Sequence, residues 1–195
     1  MQPSFLNIGT GARIAYHLTH GQSPCVMFMG GFKSDMEGSK ATALEAFCKA
    51  RGQRFIRFDY SGHGQSSGAF EEGTISAWAT EALAIFDALS DAKNNILVGS
   101  SMGAWIALLI AQKRQEKVSA LIGIASAPDF TEELIWKKLP AADQKKLMEE
   151  GVYHAPSSYG EAPYPITRAL IEDGSRNLLL GDAIDLRMPV RLLHG

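Results

Sequence analysis

Short apolar runs alternate with longer stretches of helical periodicity along most of this chain. The runs are typical of strands covered on both faces, and they occupy residues 25–29, 54–59, 95–99 and 118–125. Between them, apolar residues recur at three- and four-residue spacing, which predicts helices over residues 36–51, 74–90 and 102–115. Strands that alternate with helices form right-handed crossovers, so the pattern predicts an α/β fold with a mostly parallel sheet flanked by helices.

The two ends of the chain and one internal segment depart from this rhythm. Residues 5–8 and 12–18 predict an N-terminal hairpin around a Gly-Thr-Gly turn, and Val190–Leu193 predicts a last strand. Residues 127–174 contain five prolines among short amphipathic pieces. We interpret them as a small helical lid insertion within one domain spanning residues 1–195.

Composition narrows the class of partner. The 195 residues are 46% hydrophobic and 21% charged, which fits one globular domain. With 19 basic and 21 acidic residues the formal charge is -2. The protein therefore has no broad positive electrostatic field that would favour binding to nucleic acid or to an anionic membrane. We therefore expect a small-molecule or lipidated acyl substrate and no nucleic-acid partner.

Several classes of site and location are disfavoured. Cys25 and Cys48 lack zinc-ligand spacing, and no metal, nucleotide or flavin motif occurs, so we expect neither a metal nor a cofactor. The N-terminus resembles neither a signal nor a transit peptide, and no apolar run is long enough to span a bilayer. The expectation is a cytoplasmic protein without an integral membrane segment.

The pentapeptide Gly-x-Ser-x-Gly occurs twice, and its context separates the two copies. In a nucleophile elbow a tight turn between a strand and a helix exposes the serine hydroxyl, and small flanking residues allow the backbone to crowd. The copy at residues 64–68 lies among turn residues, whereas Gly99, Ser101 and Gly103 follow a predicted strand and precede a predicted helix. We therefore predict Ser101 as the catalytic nucleophile, with Gly99 and Gly103 as the elbow glycines.

An elbow serine also needs donors for the negative charge that develops on the substrate oxygen. Met102 would begin the helix after Ser101, where backbone N–H groups are unpaired and the helix dipole is positive. The loop after the first parallel strand, with Gly30-Gly31-Phe32, could bring the Phe32 N–H close to the site. We predict an oxyanion hole built from the N–H groups of Phe32 and Met102; a plain turn at the strand end is the alternative.

Taken in chain order, five segments resemble the α/β-hydrolase superfamily. They are FMGGF, IRFDYSGHGQS, ILVGSSMGAW, ALIGIASAPDF and PVRLLHG. Within the superfamily the chain is similar to a branch of depalmitoylating and acyl-glucuronide-cleaving esterases with one mitochondrial and several bacterial members. The resemblance spans about residues 25–195. It implies a serine hydrolase that cleaves acyl esters or thioesters through an acyl-enzyme on Ser101.

The resemblance also implies that the triad acid and histidine follow the strand ending in His-Gly. Neither position lies within the 195 residues, so we expect a C-terminally truncated fold without its last strands and helices, inactive alone. None of the histidines present is a good substitute base: His17 and His20 are expected to face solvent, and His63 to organise its own loop. Asp129 is expected to cap the helix that follows it, together with Glu132.

The lid supplies candidate pocket residues. Its aromatic side chains include Trp136, Tyr153 and Tyr164, which could shelter an acyl chain or could simply pack the lid on the core. The favoured function is a serine esterase or a palmitoyl-protein thioesterase-like enzyme. The alternative is a non-catalytic binding protein, or an inactive fragment, on the same fold. A dehalogenase or epoxide hydrolase would carry Asp at the elbow, and peptidase activity stays open.

Overall fold

The main sheet carries the N-terminal hairpin and the predicted parallel strands. The computed structural model describes residues 2–9, 11–155 and 163–194. In these residues the strands of the main sheet are β1 (Ser4–Asn7), β2 (Arg13–Thr19), β3 (Gln22–Met29), β4 (Gln53–Phe58), β5 (Asn95–Ser100), β6 (Val118–Ile124) and, after two strands of a separate sheet, β9 (Val190–Leu193). They are ordered β1-β2-β4-β3-β5-β6-β9. The pairs from β4 to β9 are parallel and β1 and β2 pair antiparallel, which confirms the predicted sheet.

Helices cover both faces of this sheet. The three predicted helices are α1 (Ser39–Ala50), α2 (Ile75–Leu89) and α3 (Met102–Lys113). Side chains alternate along β3, so Met27 packs into the core with α2 and α3, whereas Phe28 packs with α1 on the opposite face. In a strand that is buried on both faces, the side chains on both sides meet an apolar core. This explains the continuous apolar run at residues 25–29.

The predicted lid segment combines helical turns with a hairpin. After a π-helical turn (Thr131–Ile135) and a 3-10 turn (Trp136–Lys138) come α4 (Ala141–Glu150), β7 (Val152–Ala155), β8 (Tyr164–Thr167) and α5 (Arg168–Gly174). β7 and β8 pair antiparallel, a hairpin that the apolar pattern did not predict because each strand has four residues. Residues 156–162 of the predicted lid lie outside the described residues.

Two polar side chains have surroundings other than those expected. His17 is not solvent-facing: it lies on β2, which is flanked by β1 and β4, and its Nε2 is 3.3 Å from a carboxylate oxygen of Glu37. Asp129 does not cap the helical turn that follows it with its side chain. It is buried, and its carboxylate accepts hydrogen bonds from the N–H groups of Leu179 and Leu180 at 2.8 Å. Both predictions were wrong because the partners lie far away in the chain.

Candidate active site

The turn between β5 and α3, where the sequence predicts the nucleophile elbow, has a strained backbone. Ser101 has φ 53° and ψ −118°, a strained conformation for a residue with a side chain. A Cβ atom on Gly103 would overlap the carbonyl oxygens of Met29 and Gly30, and a Cβ on Gly99 would overlap backbone atoms of Gly103 and Ala104. Glycine is therefore required at both positions by close backbone approach.

Neighbouring strands hold the strained residue in place. The N–H of Ser101 donates to the carbonyl of Ile124 at the end of β6, at 3.0 Å. The carbonyl of Ser101 accepts from Ala104 at 3.0 Å and from Ala127 at 3.3 Å. Because the N–H and the carbonyl of Ser101 are both hydrogen-bonded, the surrounding structure maintains its strained conformation.

The second pentapeptide has a structural role. Ser66, its central residue, accepts a hydrogen bond from the N–H of Ala15 at 2.8 Å and donates to the carbonyl of Asp59 at 2.7 Å. Its hydroxyl thus connects the loop after β4 to β2. An engaged hydroxyl in a turn lacks the exposure that a nucleophile needs.

The loop of residues 30–34 after β3, named here the oxyanion loop, lies directly against the elbow. A Cβ built on Gly31 would stand 3.4 Å from the Cβ of Ser101 and 3.3 Å from the carbonyl of Ser100. Among the described residues, no protein group accepts a hydrogen bond from the N–H of Phe32 or of Met102. Both predicted oxyanion donors are therefore unpaired in residues that border Ser101.

The ring of His63 holds the oxyanion loop through a hydrogen bond. Lys33 adopts a left-handed φ of 60°, and its N–H donates to Nε2 of His63 at 3.1 Å. Nδ1 of His63 lies 3.0 Å from the carbonyl of Ser61, so the ring carries its proton on Nδ1. Burial lowers the pKa of His63, which favours this neutral form. The predicted organising role of His63 thus extends to the neighbouring loop.

Asp59 was not recognised from the sequence as part of this region. Its carboxylate accepts from the N–H of Met36 at 2.7 Å and from the N–H of Gln65 at 2.8 Å, and so joins the segment after β3 to the segment after β4. Burial raises the pKa of Asp59 despite these two hydrogen bonds. The position directly after a strand, in DYSGHG, was the signal that could have identified it.

Aromatic rings surround the side chain of Phe32. Its ring centroid is 4.9 Å from Phe70, 5.4 Å from Phe130 and 6.4 Å from Tyr164. The Phe32 side chain thereby packs against residues before α2 and in the lid, while Phe32 also lines the cavity at Ser101. The contact with Phe70 is edge-on and the other two are tilted, arrangements that aromatic rings prefer to face-to-face stacking.

A cavity of about 630 Å³ opens at the elbow. It is lined by Gly31, Phe32, Lys33, Ser34, Lys40, Ser100, Ser101, Ala125 and Tyr164. All three aromatic candidates, Trp136, Tyr153 and Tyr164, pack against the apolar cluster around Leu147. Of the three, only Tyr164 also lines the described cavity at Ser101. The two lysines on the cavity wall were not singled out from the sequence.

No catalytic base accompanies Ser101 in the described part of the chain. No hydrogen bond joins its hydroxyl to a histidine or carboxylate among residues 2–9, 11–155 and 163–194. Within the same ranges, no three His, Cys, Asp or Glu side chains cluster as a metal site would require. No described helix combines the length and apolarity needed to cross a membrane.

Comparison with known proteins supports the assignment of the fold. The alpha/beta hydrolase fold family matches residues 38–160. The human mitochondrial palmitoyl-protein thioesterase ABHD10 is 43% identical over 193 residues, which cover 98% of this chain. The chain spans 62% of the length of that relative.

Solved structures give the same result. Mouse alpha/beta hydrolase domain-containing protein 10 superposes with a TM-score of 0.89 at 41% identity, over all of this chain and 78% of that one. A putative hydrolase from Agrobacterium vitis S4 superposes with a TM-score of 0.92 at 40% identity, over 98% of this chain and 77% of that one.

These relatives correct one expectation and confirm another. The expected cytoplasmic location is contradicted by relatives from human, orangutan and cattle that are all named mitochondrial. That expectation was drawn from the N-terminal residues, which cannot exclude a leader outside the sequence. The resemblance to hydrolases of this fold, by contrast, is confirmed. The chain belongs to the alpha/beta hydrolase family.

Proposed function

We propose that this chain carries the nucleophile and the oxyanion hole of a serine hydrolase that cleaves acyl esters or thioesters. The observation that carries the proposal is the strained Ser101 at the start of α3, bordered by the unpaired N–H groups of Phe32 and Met102. A serine held in this conformation at no evident structural benefit is typical of a nucleophile.

The chemistry follows from this arrangement. The Ser101 hydroxyl attacks the acyl carbonyl carbon, and its proton passes to a base. The carbonyl oxygen becomes an oxyanion that accepts hydrogen bonds from the N–H groups of Phe32 and Met102. Collapse of this intermediate expels the alcohol or thiol and leaves the acyl group on Ser101, from which water releases it as a carboxylic acid.

The base and its acid are proposed to come from a segment outside these 195 residues. Among the described residues, no histidine forms a hydrogen bond with Ser101: His17 lies against Glu37, and His63 binds Lys33 and Ser61. The relatives are longer than this chain, which leaves room for such a segment. The chain alone is then expected to be inactive.

The proposed substrate is a fatty acyl thioester or ester. Relatives that are 41–43% identical are named palmitoyl-protein thioesterases. The cavity at Ser101 is bordered by Phe32 and Tyr164, whose rings offer an apolar wall for an acyl chain. Ester, thioester and amide cleavage share the same elbow, so the choice depends on the pocket.

A second candidate function is a non-catalytic binding protein on a hydrolase fold. The observation that favours it is the missing base beside Ser101 in the described residues. The cavity and the elbow would then bind an acyl group without cleaving it.

A fluorophosphonate probe separates the two functions. The probe labels activated serines, and mass spectrometry locates the adduct. The samples are the 195-residue chain, a chimera in which the C-terminal segment of the mouse relative follows it, and the Ser101→Ala form of that chimera. Adduct on Ser101 in the first chimera alone supports the enzyme. No adduct in either folded protein with Ser101 would overturn it in favour of the binding protein.

A further inference from the structure

A second cavity adjoins the candidate active site. Its volume is about 200 Å³, and it lies between the oxyanion loop and the first turn of α1. Four residues line both this cavity and the cavity at Ser101, namely Gly31, Ser34, Lys40 and Ser100. A substrate bound at Ser101 can therefore extend into it.

The first turn of α1 presents unpaired donors to this cavity. The helix has 12 residues, no side chain caps its N-terminus, and its first turn contains no acidic residue. Thr42 donates its N–H to the carbonyl of Gly38, which leaves the N–H groups of residues 39–41 without a protein acceptor among the described residues. These N–H groups and the helix dipole together favour an anion.

Ser100 is an independent indication of a ligand. It is only 8% exposed, yet its hydroxyl makes no hydrogen bond with any described residue. It lies on the same face of β5 as Val98, which packs against α1, and it lines both cavities. The hydroxyl of a largely buried residue that borders a cavity and lacks a protein partner is available to a bound group.

The charged residues on the walls of the two adjoining cavities are two lysines and one aspartate, which together favour an anion over a cation. Lys40 lines the cavity and Lys33 stands on the adjoining one, and neither forms an ion pair with a described residue. One carboxylate, that of Asp35, also lies on the wall, and it accepts the N–H of Glu37 at 2.9 Å. The Glu37 carboxylate itself pairs with Arg57 at 2.7 Å.

We propose that this cavity is a phosphate-binding subsite for the leaving group of the substrate. The donors are the N–H groups of residues 39–41, the hydroxyls of Ser34, Ser39 and Ser100, and the ammonium group of Lys40. They approach from the loop, the helix and the strand. A tetrahedral phosphate with three terminal oxygens can meet donors from several directions, whereas a planar carboxylate has two oxygens. The inference rests on the proposed function for its catalytic part: the substrate class is an acyl thioester or ester of a phosphorylated thiol or alcohol.

Binding of inorganic phosphate tests the subsite without any catalysis. We expect saturable amide shifts at residues 39–41 in nuclear magnetic resonance spectra of the 195-residue chain. Lys40→Glu and Ser100→Ala should weaken binding about tenfold or more and about threefold, respectively. Lys49→Glu, at the other end of α1, is the matched control and should leave the affinity unchanged. Absence of saturable shifts, or equal affinity in Lys40→Glu and Lys49→Glu, would overturn the subsite.

A pair of substrates tests its place in catalysis. In the chimera with the mouse C-terminal segment, kcat/KM for a palmitoyl thioester of 4′-phosphopantetheine should exceed that for the unphosphorylated pantetheine thioester by about tenfold. Lys40→Glu should abolish this preference, so that the variant hydrolyses the two thioesters with equal kcat/KM. Equal rates on both thioesters would refute the substrate class while leaving the enzyme intact. Hydrolysis of neither, with phosphate still bound at residues 39–41, would refute the proposed function but not the anion site.

Discussion

The nucleophile elbow and the oxyanion loop border the same cavity, but they are held by different kinds of contact. At the elbow, the restraints on Gly99 and Gly103 are backbone atoms of β3 and of the turn itself. The oxyanion loop is held by the ring of His63, which binds a residue 30 positions away, and the segment after it by Asp59. Close backbone approach requires glycine and is therefore visible in the local sequence, even at Gly103, where the backbone belongs to a distant strand. A hydrogen bond from a distant side chain requires no particular residue at the backbone group that it meets.

The difference has a mechanical consequence. The elbow has no space for an added atom, so any larger side chain at its two glycine positions should destabilise the fold. The oxyanion loop and the segment beside it are each held by one hydrogen-bond acceptor, the His63 ring and the Asp59 carboxylate. Removing that acceptor should destabilise the segment that it holds. Four measurements test this contrast, beginning with the largest expected effect.

Adding one methyl group at Gly103 should have the largest effect. In Gly103→Ala the Cβ overlaps the carbonyl oxygens of Met29 and Gly30, and backbone atoms of a central strand cannot move aside easily. We expect a loss of about 3 kcal/mol in the free energy of unfolding, measured in urea. Gly181→Ala is the control: nothing lies within 4 Å of its Cβ, so it should change stability by less than about 0.5 kcal/mol. Equal stability of the two variants would contradict the packing at the elbow.

Removing the Asp59 carboxylate should have the next largest effect. Asp59→Ala leaves the buried N–H of Met36 and the N–H of Gln65 without their acceptor. We expect a loss of about 2 kcal/mol in the free energy of unfolding. Asp59→Asn keeps one carbonyl oxygen and should lose less, because one of the two hydrogen bonds can persist. A larger loss in Asp59→Asn than in Asp59→Ala would argue against this bridging role.

His63 offers a pair of variants that separate its two hydrogen bonds. In His63→Gln the side-chain oxygen can reach the position of Nε2 and still accept from Lys33. In His63→Asn the shorter amide can replace Nδ1 toward the carbonyl of Ser61 but cannot reach Lys33. We expect the Lys33 amide proton to exchange with solvent about fivefold to tenfold faster in the Asn variant than in the Gln variant. The same exchange rate in both would show that His63 does not hold the oxyanion loop.

The smallest expected effect is the pH dependence that His63 adds to stability. Burial lowers its pKa in the folded state below the ordinary value of 6.5, so below that pH the unfolded chain binds more protons than the folded one. Stability contributed by the neutral ring is present above pH 6.5 and is lost as the pH falls below it. Urea unfolding at several pH values should show this decline, and the difference from His63→Gln isolates it. Parallel curves for the two proteins would contradict a buried neutral His63.

Most of the sheet and its helices were predictable from the sequence, and the boundary of α1 shows where prediction stopped. Apolar periodicity predicted a helix over residues 36–51, but α1 begins at Ser39. The backbone of Met36 is occupied by tertiary contacts instead: its N–H donates to Asp59 and its carbonyl accepts from Nη1 of Arg57 at 2.7 Å. A periodic pattern reports which face is apolar, not which backbone groups are engaged elsewhere.

The candidate site residues also differ in how far the sequence could predict them. Ser101 and its two glycines were recognisable because a strand, a one-residue turn and a helix are contiguous in the chain. Trp136, Tyr153 and Tyr164 all pack in the same apolar cluster, and composition did not show that Tyr164 also lines the cavity at Ser101. Which face of a short amphipathic segment meets the site depends on where the segment docks.

By itself, the sequence determined the alternation of strands and helices, the parallel sheet and the strand-turn-helix order around Ser101. These features follow from restraints between chain neighbours, namely apolar periodicity and the placement of turn residues. Only the tertiary structure decided that His63 and Asp59 hold the segments beside the elbow, and that Ser100 and the first turn of α1 enclose a second cavity. Those features join residues from separate strands and loops, and a hydrogen bond between distant residues leaves no pattern in either local sequence.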